Sequence, residues 1–291
     1  MFRIFATGEK DLIERAWSAL AWTDPSPADA VDYREDGRNC WRLDAYAADR
    51  DAADACVAMV ASVAAALAVR AEPLQSRDWV ALSLEGLPVV RAGKFVITGA
   101  HNLPGARGGD IPICIEAGPA FGTGHHGTTL GCLLAYIKVR RGRDFRRILD
   151  VGTGTGVLAI AALKNGGARA IASDIDAGSV AVTVENATKN GVHGRLKVRE
   201  ASGTRHPLIH RSAPYDLVFA NILARPLIRL AASMTRVTAP GGVLIVSGLL
   251  THQAPLVRRA YLGRGLISAG HIRKDGWSTL VFRKSRSSHP R

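Results

Sequence analysis

The fold is indicated most clearly by the stretch RILDVGTGTGVLAIAALK, residues 147–164. Its first five residues are mostly apolar, as in a buried strand, and its last eight have the composition of a buried helix. Between the two lie three glycines, Gly152, Gly154 and Gly156. Glycine lets the backbone turn tightly and lets a ligand approach main-chain N–H groups at the start of a helix. The stretch therefore predicts a ligand-binding loop between a strand and a helix.

The spacing of these glycines separates two classes of nucleotide cofactor. A nicotinamide fingerprint has the pattern G-x-G-x-x-G, whose third glycine would fall at position 157. The chain has Val157 there, and its third glycine is Gly156. The resulting pattern, G-x-G-x-G, is the spacing seen in S-adenosylmethionine methyltransferases.

An acidic residue at the end of the next predicted strand supports a nucleoside ligand. The carboxylate of Asp174 has two acceptor oxygens and can accept both ribose hydroxyls. Asp176 is close enough to compete, but alternation along the strand points it elsewhere, which favours Asp174. The alternative role for Asp174 is that of a helix N-cap.

Alternating strands and helices from residue 111 onward predict an α/β fold. We expect a Rossmann-like, mostly parallel sheet whose antiparallel edge is a hairpin of residues 266–272 and 278–282. Residues 1–72 predict a smaller α+β domain of ferredoxin-like type, with helices at residues 9–22 and 51–69. Residues 73–110 are rich in Gly and Pro and are expected to form a connector to the main domain, residues 111–291.

Composition and charge limit the possible environments and partners. The 38 Lys and Arg against 25 Asp and Glu give a net charge of +13, which predicts a polyanionic partner such as nucleic acid, a nucleoprotein or an anionic membrane. A solvated basic surface is the alternative. The four cysteines lack paired spacing, which argues against disulfides and zinc and fits a reducing cytosol. The uncharged residues 55–69 are too few to span a bilayer.

Four motifs show a resemblance to a known family. They are AFGTGHHGTT at 120–129, the glycine loop within 148–160, SDID at 173–176, and ANILARPL at 220–227 followed by PGG at 240–242 and SG at 247–248. Together they resemble the PrmA-type methyltransferases, which modify protein eleven of the large ribosomal subunit. The first motif is specific to that family, whereas the others recur more widely. His125 and Gly127 depart from the family's usual Thr and Pro.

The resemblance implies a class I S-adenosylmethionine methyltransferase located in the cytoplasm. By this resemblance, the family's cofactor contacts correspond to Thr129, Gly152, Asp174 and Asn221. Further candidate contacts are Gly154, Asp150 and Phe121. The implied substrate is the ribosomal protein, methylated on lysine ε-amines and the N-terminal α-amine. The basic surface would then contact ribosomal RNA.

Asn221 is the candidate catalytic residue, because its side-chain oxygen can accept an amine N–H and aim the nitrogen lone pair. Strand-end capping is the alternative role for Asn221. His125 and His126 are expected to act conformationally or by hydrogen bonding, since an ordinary histidine is a weak base for a lysine ammonium. No metal-ligand cluster or hydrolase motif is evident. Two other functions stay open: methylation of a different amine, on another protein or a small molecule, and a non-catalytic ribosome-binding module.

Overall fold

The computed structural model describes residues 2–23, 25–28, 30–37, 40–73, 90–99, 108–115 and 127–286, and all statements about structure refer to these. The chain divides into two compact units, Met1–Leu82 and Ser83–Arg291. The connector predicted at residues 73–110 thus falls partly in each unit. No helix in the described ranges combines the length and apolar character needed to cross a membrane.

The first unit is a four-stranded antiparallel sheet with two helices. Its elements in chain order are β1 (Phe2–Gly8), α1 (Lys10–Trp22), β2 (Ala30–Glu35), β3 (Trp41–Ala47), α2 (Arg50–Val63) and β4 (Arg70–Pro73). The strand order β2-β3-β1-β4 is that of a ferredoxin-like domain. The helices pack on the sheet face that carries Ile4, Leu43 and Ala45, all fully buried.

Helix α2 ends at Val63, six residues before the predicted end at residue 69. Ala64 leaves the helical conformation, with φ −146° and ψ 59°. The following residues place Leu67 in the core and deliver β4 to its antiparallel pairing with β1. The alanine-rich composition alone predicts a longer helix, and tertiary pairing overrides that propensity.

The second unit contains ten strands and six helices within its described residues. The strands are β5 (Val90–Ala92), β6 (Phe95–Thr98), β7 (Ile111–Cys114), β8 (Arg147–Val151), β9 (Arg169–Asp174), β10 (Leu196–Glu200), β11 (Tyr215–Asn221), β12 (Thr238–Leu250), β13 (Leu266–Lys274) and β14 (Trp277–Lys284). The helices are α3 (Gly127–Arg140), α4 (Val157–Lys164), α5 (Ala177–Lys189), α6 (Pro207–Ser212), α7 (Ala224–Val237) and α8 (Ala254–Leu262).

Strands β8 to β14 form one sheet in the order β10-β9-β8-β11-β12-β14-β13. The pairs from β10 to β12 are parallel, and β14 is antiparallel to both of its neighbours. This is the α/β sheet with an antiparallel edge that the sequence predicts. Strands β5, β6 and β7 form a separate small sheet in the same unit.

The order of the strands creates a crevice at the centre of the large sheet. Strand β8 lies between β9 and β11. The connections that follow β8 run outward to β9 and β10 on one side, whereas those that follow β11 run outward to β12 and the antiparallel strands on the other. Ligands of open α/β sheets bind at such a switch point, beyond the carboxyl ends of the strands. The core beneath is apolar, because the central strands carry fully buried residues such as Leu149, Leu217 and Ile245.

Candidate functional site

The glycine loop joins β8 to α4 at the switch point. Gly152, Gly154 and Gly156 have φ values of 70°, 55° and 82°, in the left-handed region that side chains disfavour. A Cβ at Gly152 would also collide with the side chain of Ile222, which follows β11. Glycine is therefore required here by both conformation and space.

Two buried polar side chains of α5 hold the loop from below. The hydroxyl of Thr183 donates to the carbonyl of Gly154 at 2.8 Å, and the Asn186 amide donates to the carbonyl of Thr155 at 2.9 Å. Neither residue is among the predicted site residues. The sequence marks them as two polar residues three positions apart, on the helix face that an ordinary amphipathic helix fills with apolar residues.

Asp174 ends β9 beside the loop, and its carboxylate is half-buried. One oxygen accepts the Gly154 N–H at 2.9 Å and the other accepts the Asp176 N–H at 3.2 Å. An ionised carboxylate has about four acceptor positions, so two remain available. Asp176 is the residue that caps a helix, because it accepts the N–H of Ser179 at the start of α5.

Asp150 lies beneath the loop near the end of β8 and is almost fully buried. One carboxylate oxygen accepts the Thr153 hydroxyl at 3.0 Å and the Ala159 N–H at 3.2 Å, and the other has no partner among the described atoms. Burial raises the pKa of Asp150 to about 7, and the nearby charge of Asp174 acts in the same direction. The site therefore has a carboxyl that titrates near neutrality.

Asn221 ends β11, the strand next to β8. Its amide nitrogen approaches the Thr129 hydroxyl of α3 at 3.4 Å, which fixes the orientation of the side chain. Its buried Oδ1 atom has no hydrogen-bond partner among the described atoms. An unpaired buried acceptor costs on the order of 1–3 kcal/mol, and a ligand N–H or O–H would remove that cost.

The structure brings six of the seven candidate residues to one end of the sheet, around the switch point: Asp150, Gly152, Gly154, Asp174, Asn221 and Thr129. Thr129 is fully buried, so it lies behind Asn221 rather than at an open surface. Phe121, His125 and His126 fall outside the described residues. Glu200 ends β10 in register with Asp174 and is exposed. Among described residues, no group of three His, Cys, Asp or Glu could hold a metal ion.

Comparisons with known proteins agree on one family. The sequence profile of the family described as "Ribosomal protein L11 methyltransferase (PrmA)" matches residues 13–285. A protein of that name from Caulobacter sp. (strain K31) is 46% identical over 250 residues, which cover 86% of this chain and 85% of that protein. One from Mesorhizobium japonicum is 42% identical over 280 residues, covering 95% of this chain and 96% of the other.

A solved structure supports the same assignment. The crystal structure of a ribosomal protein L11 methylase from Lactobacillus delbrueckii subsp. bulgaricus superposes with a TM-score of 0.60 at 29% sequence identity. The match covers 67% of this chain and 98% of that one.

Proposed function

Because the chain belongs to the ribosomal protein L11 methyltransferase (PrmA) family, with S-adenosyl-L-methionine as its cofactor, we propose that it methylates amino groups of ribosomal protein L11. The proposed acceptors are lysine ε-amines and the N-terminal α-amine. One observation carries the proposal: the unpartnered Oδ1 of Asn221 lies at the switch point, where an amine N–H could reach it.

The residues at the switch point fit the cofactor. The left-handed glycines keep the start of α4 open to a ligand, and a larger residue at Gly152 would collide with the side chain of Ile222. The free acceptor positions of Asp174 suit a pair of ribose hydroxyls. We therefore propose that Gly152, Gly154 and Asp174 hold the nucleoside, with Asp150 supporting the loop from beneath. Thr129 contributes by fixing Asn221, and Phe121 stays a predicted contact.

When bound, S-adenosylmethionine supplies an activated methyl group on a sulfonium. The protein has to bring a neutral amine into line with that methyl group. Asn221 serves this purpose, since its Oδ1 can accept one amine N–H and thereby direct the nitrogen lone pair. The Thr129 hydroxyl holds the other end of the same amide, so the acceptor does not have to reorganise when the substrate arrives.

The incoming amine has to lose a proton before it can react. A lysine ammonium has an ordinary pKa near 10.4 and no lone pair. Desolvation beside a cationic cofactor lowers that pKa, because both effects disfavour a second positive charge. Near Asn221, the buried surroundings formed by Thr129 and Ser247 provide that desolvation.

The first unit is the proposed recognition domain for the protein substrate. All candidate cofactor residues described above belong to the second unit. A specific protein interface buries about 800 Å² on each partner, more than a pocket for one amine offers. Assignment to the cytoplasm follows from the proposed substrate and stays part of the proposal.

Peptide mapping by mass spectrometry tests the acceptor assignment. Isolated ribosomal protein L11 is incubated with the full chain and S-adenosylmethionine, and every methylated position is located. We expect methyl groups on lysine side chains and on the N-terminal amine. Methylation confined to other side chains, or to a small-molecule amine in a parallel assay, would overturn the proposal. Cofactor binding without transfer to any acceptor would favour the non-catalytic module.

The second unit alone tests the role of the first. We expect a chain that begins at Ser83 to bind S-adenosylmethionine with near-normal affinity, which also shows that it folds. The same chain should fail to methylate the ribosomal protein. Full methylation activity in the absence of the first unit would show that this unit is not the recognition domain.

A further inference from the structure

A row of arginines lies at the amino-terminal edge of the parallel strands, opposite the switch point. We define this basic edge by seven residues of the second unit: Arg141, Arg143, Arg146, Arg147, Arg169, Arg283 and Arg286. Six of them are exposed and Arg143 is half-buried. Arg147 of β8 and Arg169 of β9 are register partners, and Arg283 lies beside Val243 at the same edge in β14. Four of these arginines lie within residues 141–147, and the fold brings Arg169, Arg283 and Arg286 to the same edge.

The positive charge of the basic edge is not neutralised within the described part of the chain. None of the seven arginines forms an ion pair there. Two carboxylates lie close by. Asp144 pairs with Arg140, at 2.6 Å, and Asp216 accepts the backbone N–H groups of Arg146 and Arg147 at 2.8 and 2.9 Å. Neither acid forms an ion pair with a guanidinium group of the edge in the described structure, although the charge of Asp216 acts on Arg143.

Like charges are held near one another at the centre of the edge. The Arg286 side chain lies against Gly241 in the first part of β12, within 3.2–3.8 Å of the position that a Cβ would occupy. The Arg143 guanidinium stacks over the Phe145 ring at 5.1 Å. Burial lowers the pKa of Arg143 and the charge of Arg283 lowers it further, whereas the carboxylate of Asp216 raises it and the charge of Arg286 lowers it. Repulsion of this kind is relieved when an anion binds between the cations.

Helix ends account for other cations at this edge but not for these seven. The C-terminal end of a helix attracts positive charge. The Lys284 ammonium donates to the carbonyls of Thr235 and Thr238 near the end of α7, and Arg195 donates to the carbonyls of Leu163 and Gly167 after α4. The arginines of the basic edge donate no such bond from their side chains in the described structure, so direct capping of a helix end does not account for them.

We infer that the basic edge binds the phosphate backbone of RNA. Strands lie about 4.8 Å apart, so the four strand steps from Arg169 to Arg283 cover roughly 19 Å in a line. A linear polyanion can follow that line, whereas a single small anion can meet only part of it. The planar guanidinium fork also matches phosphate oxygens in pairs. This inference does not depend on which amine the protein methylates.

The test is RNA binding by the full chain, measured with a fluorescently labelled, mixed-sequence single-stranded RNA. The edge variant replaces three arginines by glutamine: Arg147→Gln, Arg169→Gln and Arg283→Gln. The matched control removes the same charge from exposed arginines of the loop after β10 and of α8: Arg205→Gln, Arg258→Gln and Arg259→Gln. Neither set touches the residues at the switch point, so cofactor affinity should stay within twofold of wild type in both.

We expect the edge variant to bind RNA at least tenfold more weakly than wild type, and the control less than threefold. Each lost phosphate contact should also reduce the slope of log affinity against log salt by about 0.7. Equal losses in the two variants would mean that only total charge matters and would overturn the inference. The inference would also be overturned if wild type binds no RNA, or if phosphatidylserine vesicles bind the basic edge more tightly than RNA does.

Discussion

The two edges of the large sheet are built from the same strands and differ in charge and in available hydrogen-bonding groups. At the carboxyl edge, Asp150, Asp174, Glu200 and Asn221 follow one another on neighbouring strands, and the glycine loop opens toward the start of α4. At the amino edge, β8 begins with Arg147, β9 begins with Arg169, and Arg283 of β14 lies at the same edge. Parallel strands put all helix starts on one side and all helix ends on the other, so each edge favours the opposite charge.

This difference shows that one topology can provide two separate binding surfaces. The carboxyl edge has left-handed glycines, a carboxylate with free acceptor positions and an unpaired amide oxygen, which suit a small cofactor and an amine. The amino edge has exposed cations without ion-pair partners in the described residues, which suit a polyanion. Substitutions at one edge are therefore expected to leave the function of the other unchanged.

The largest expected effect comes from replacing a glycine at each edge. Gly152 and Gly142 have nearly the same backbone angle, with φ 70° and 69°, but of the two only Gly152 has a neighbour, Ile222, within 4 Å of the position that a Cβ would occupy. Gly152→Arg should weaken S-adenosylmethionine binding at least a thousandfold, about 4 kcal/mol. Gly142→Arg should change it less than threefold. Calorimetric titration gives both values, and equal losses would show that backbone strain alone is responsible.

The next effect concerns methyl transfer in the presence of bound cofactor. Asn221→Ala removes the acceptor that aims the amine, so its single-turnover rate should fall about a hundredfold, while cofactor affinity changes less than fivefold. Asn190→Ala is the control, because Asn190 ties α5 to the backbone of Cys114 through two hydrogen bonds. It should lower thermal stability and leave the rate near wild type. An unchanged rate in Asn221→Ala would assign that residue to strand-end capping.

Two neighbouring acids should behave differently. Asp174→Ala should weaken cofactor binding about tenfold, or 1.4 kcal/mol, because ribose hydroxyls lose their acceptor. Asp176→Ala should cost about 1 kcal/mol of folding free energy as a lost N-cap, with cofactor affinity unchanged. Titration and urea unfolding of both variants separate these roles. The reverse pattern, with affinity lost only in Asp176→Ala, would exchange their assignments.

The last prediction is a pH dependence of stability in the cofactor-free protein. The pKa of Asp150 is raised from 3.8 to about 7, so between these values the native state binds more protons than the unfolded state. The free energy of unfolding should therefore fall by up to about 1.4 kcal/mol per pH unit as the pH rises through this window. Asp150→Asn should lack this contribution. Identical pH slopes in urea unfolding of the two proteins would argue against a protonated Asp150.

The sequence predicts the large sheet well because its elements carry local signals. Strand β8 and helix α4 begin and end at the predicted residues, since glycines and buried apolar runs mark them. The antiparallel hairpin is also confirmed, although β14 continues through Lys284. The strand extends to Arg283 and Lys284 because these residues pair with Val243 of β12 and Leu266 of β13. The basic composition of this part of the sequence does not indicate that pairing.

The site is only partly predictable, because some of its properties depend on long-range packing. The position of Asp174 follows from strand periodicity, but the unpaired Oδ1 of Asn221 arises from the approach of α3 with Thr129, far away in sequence. The raised pKa of Asp150 likewise depends on burial by the whole domain. The basic edge illustrates the same limit. Net charge predicts a polyanionic partner, and only the strand order places the arginines in a row.

A crystal structure of the protein with S-adenosylhomocysteine tests the central assignment most directly. We predict that the nucleoside lies at the carboxyl edge, over the glycine loop. Both ribose hydroxyls should lie within hydrogen-bonding distance of the Asp174 carboxylate, and the sulfur should face the Oδ1 side of Asn221. Density for the nucleoside at any other place, or ribose hydroxyls held by other residues while Asp174 stays unengaged, would contradict it.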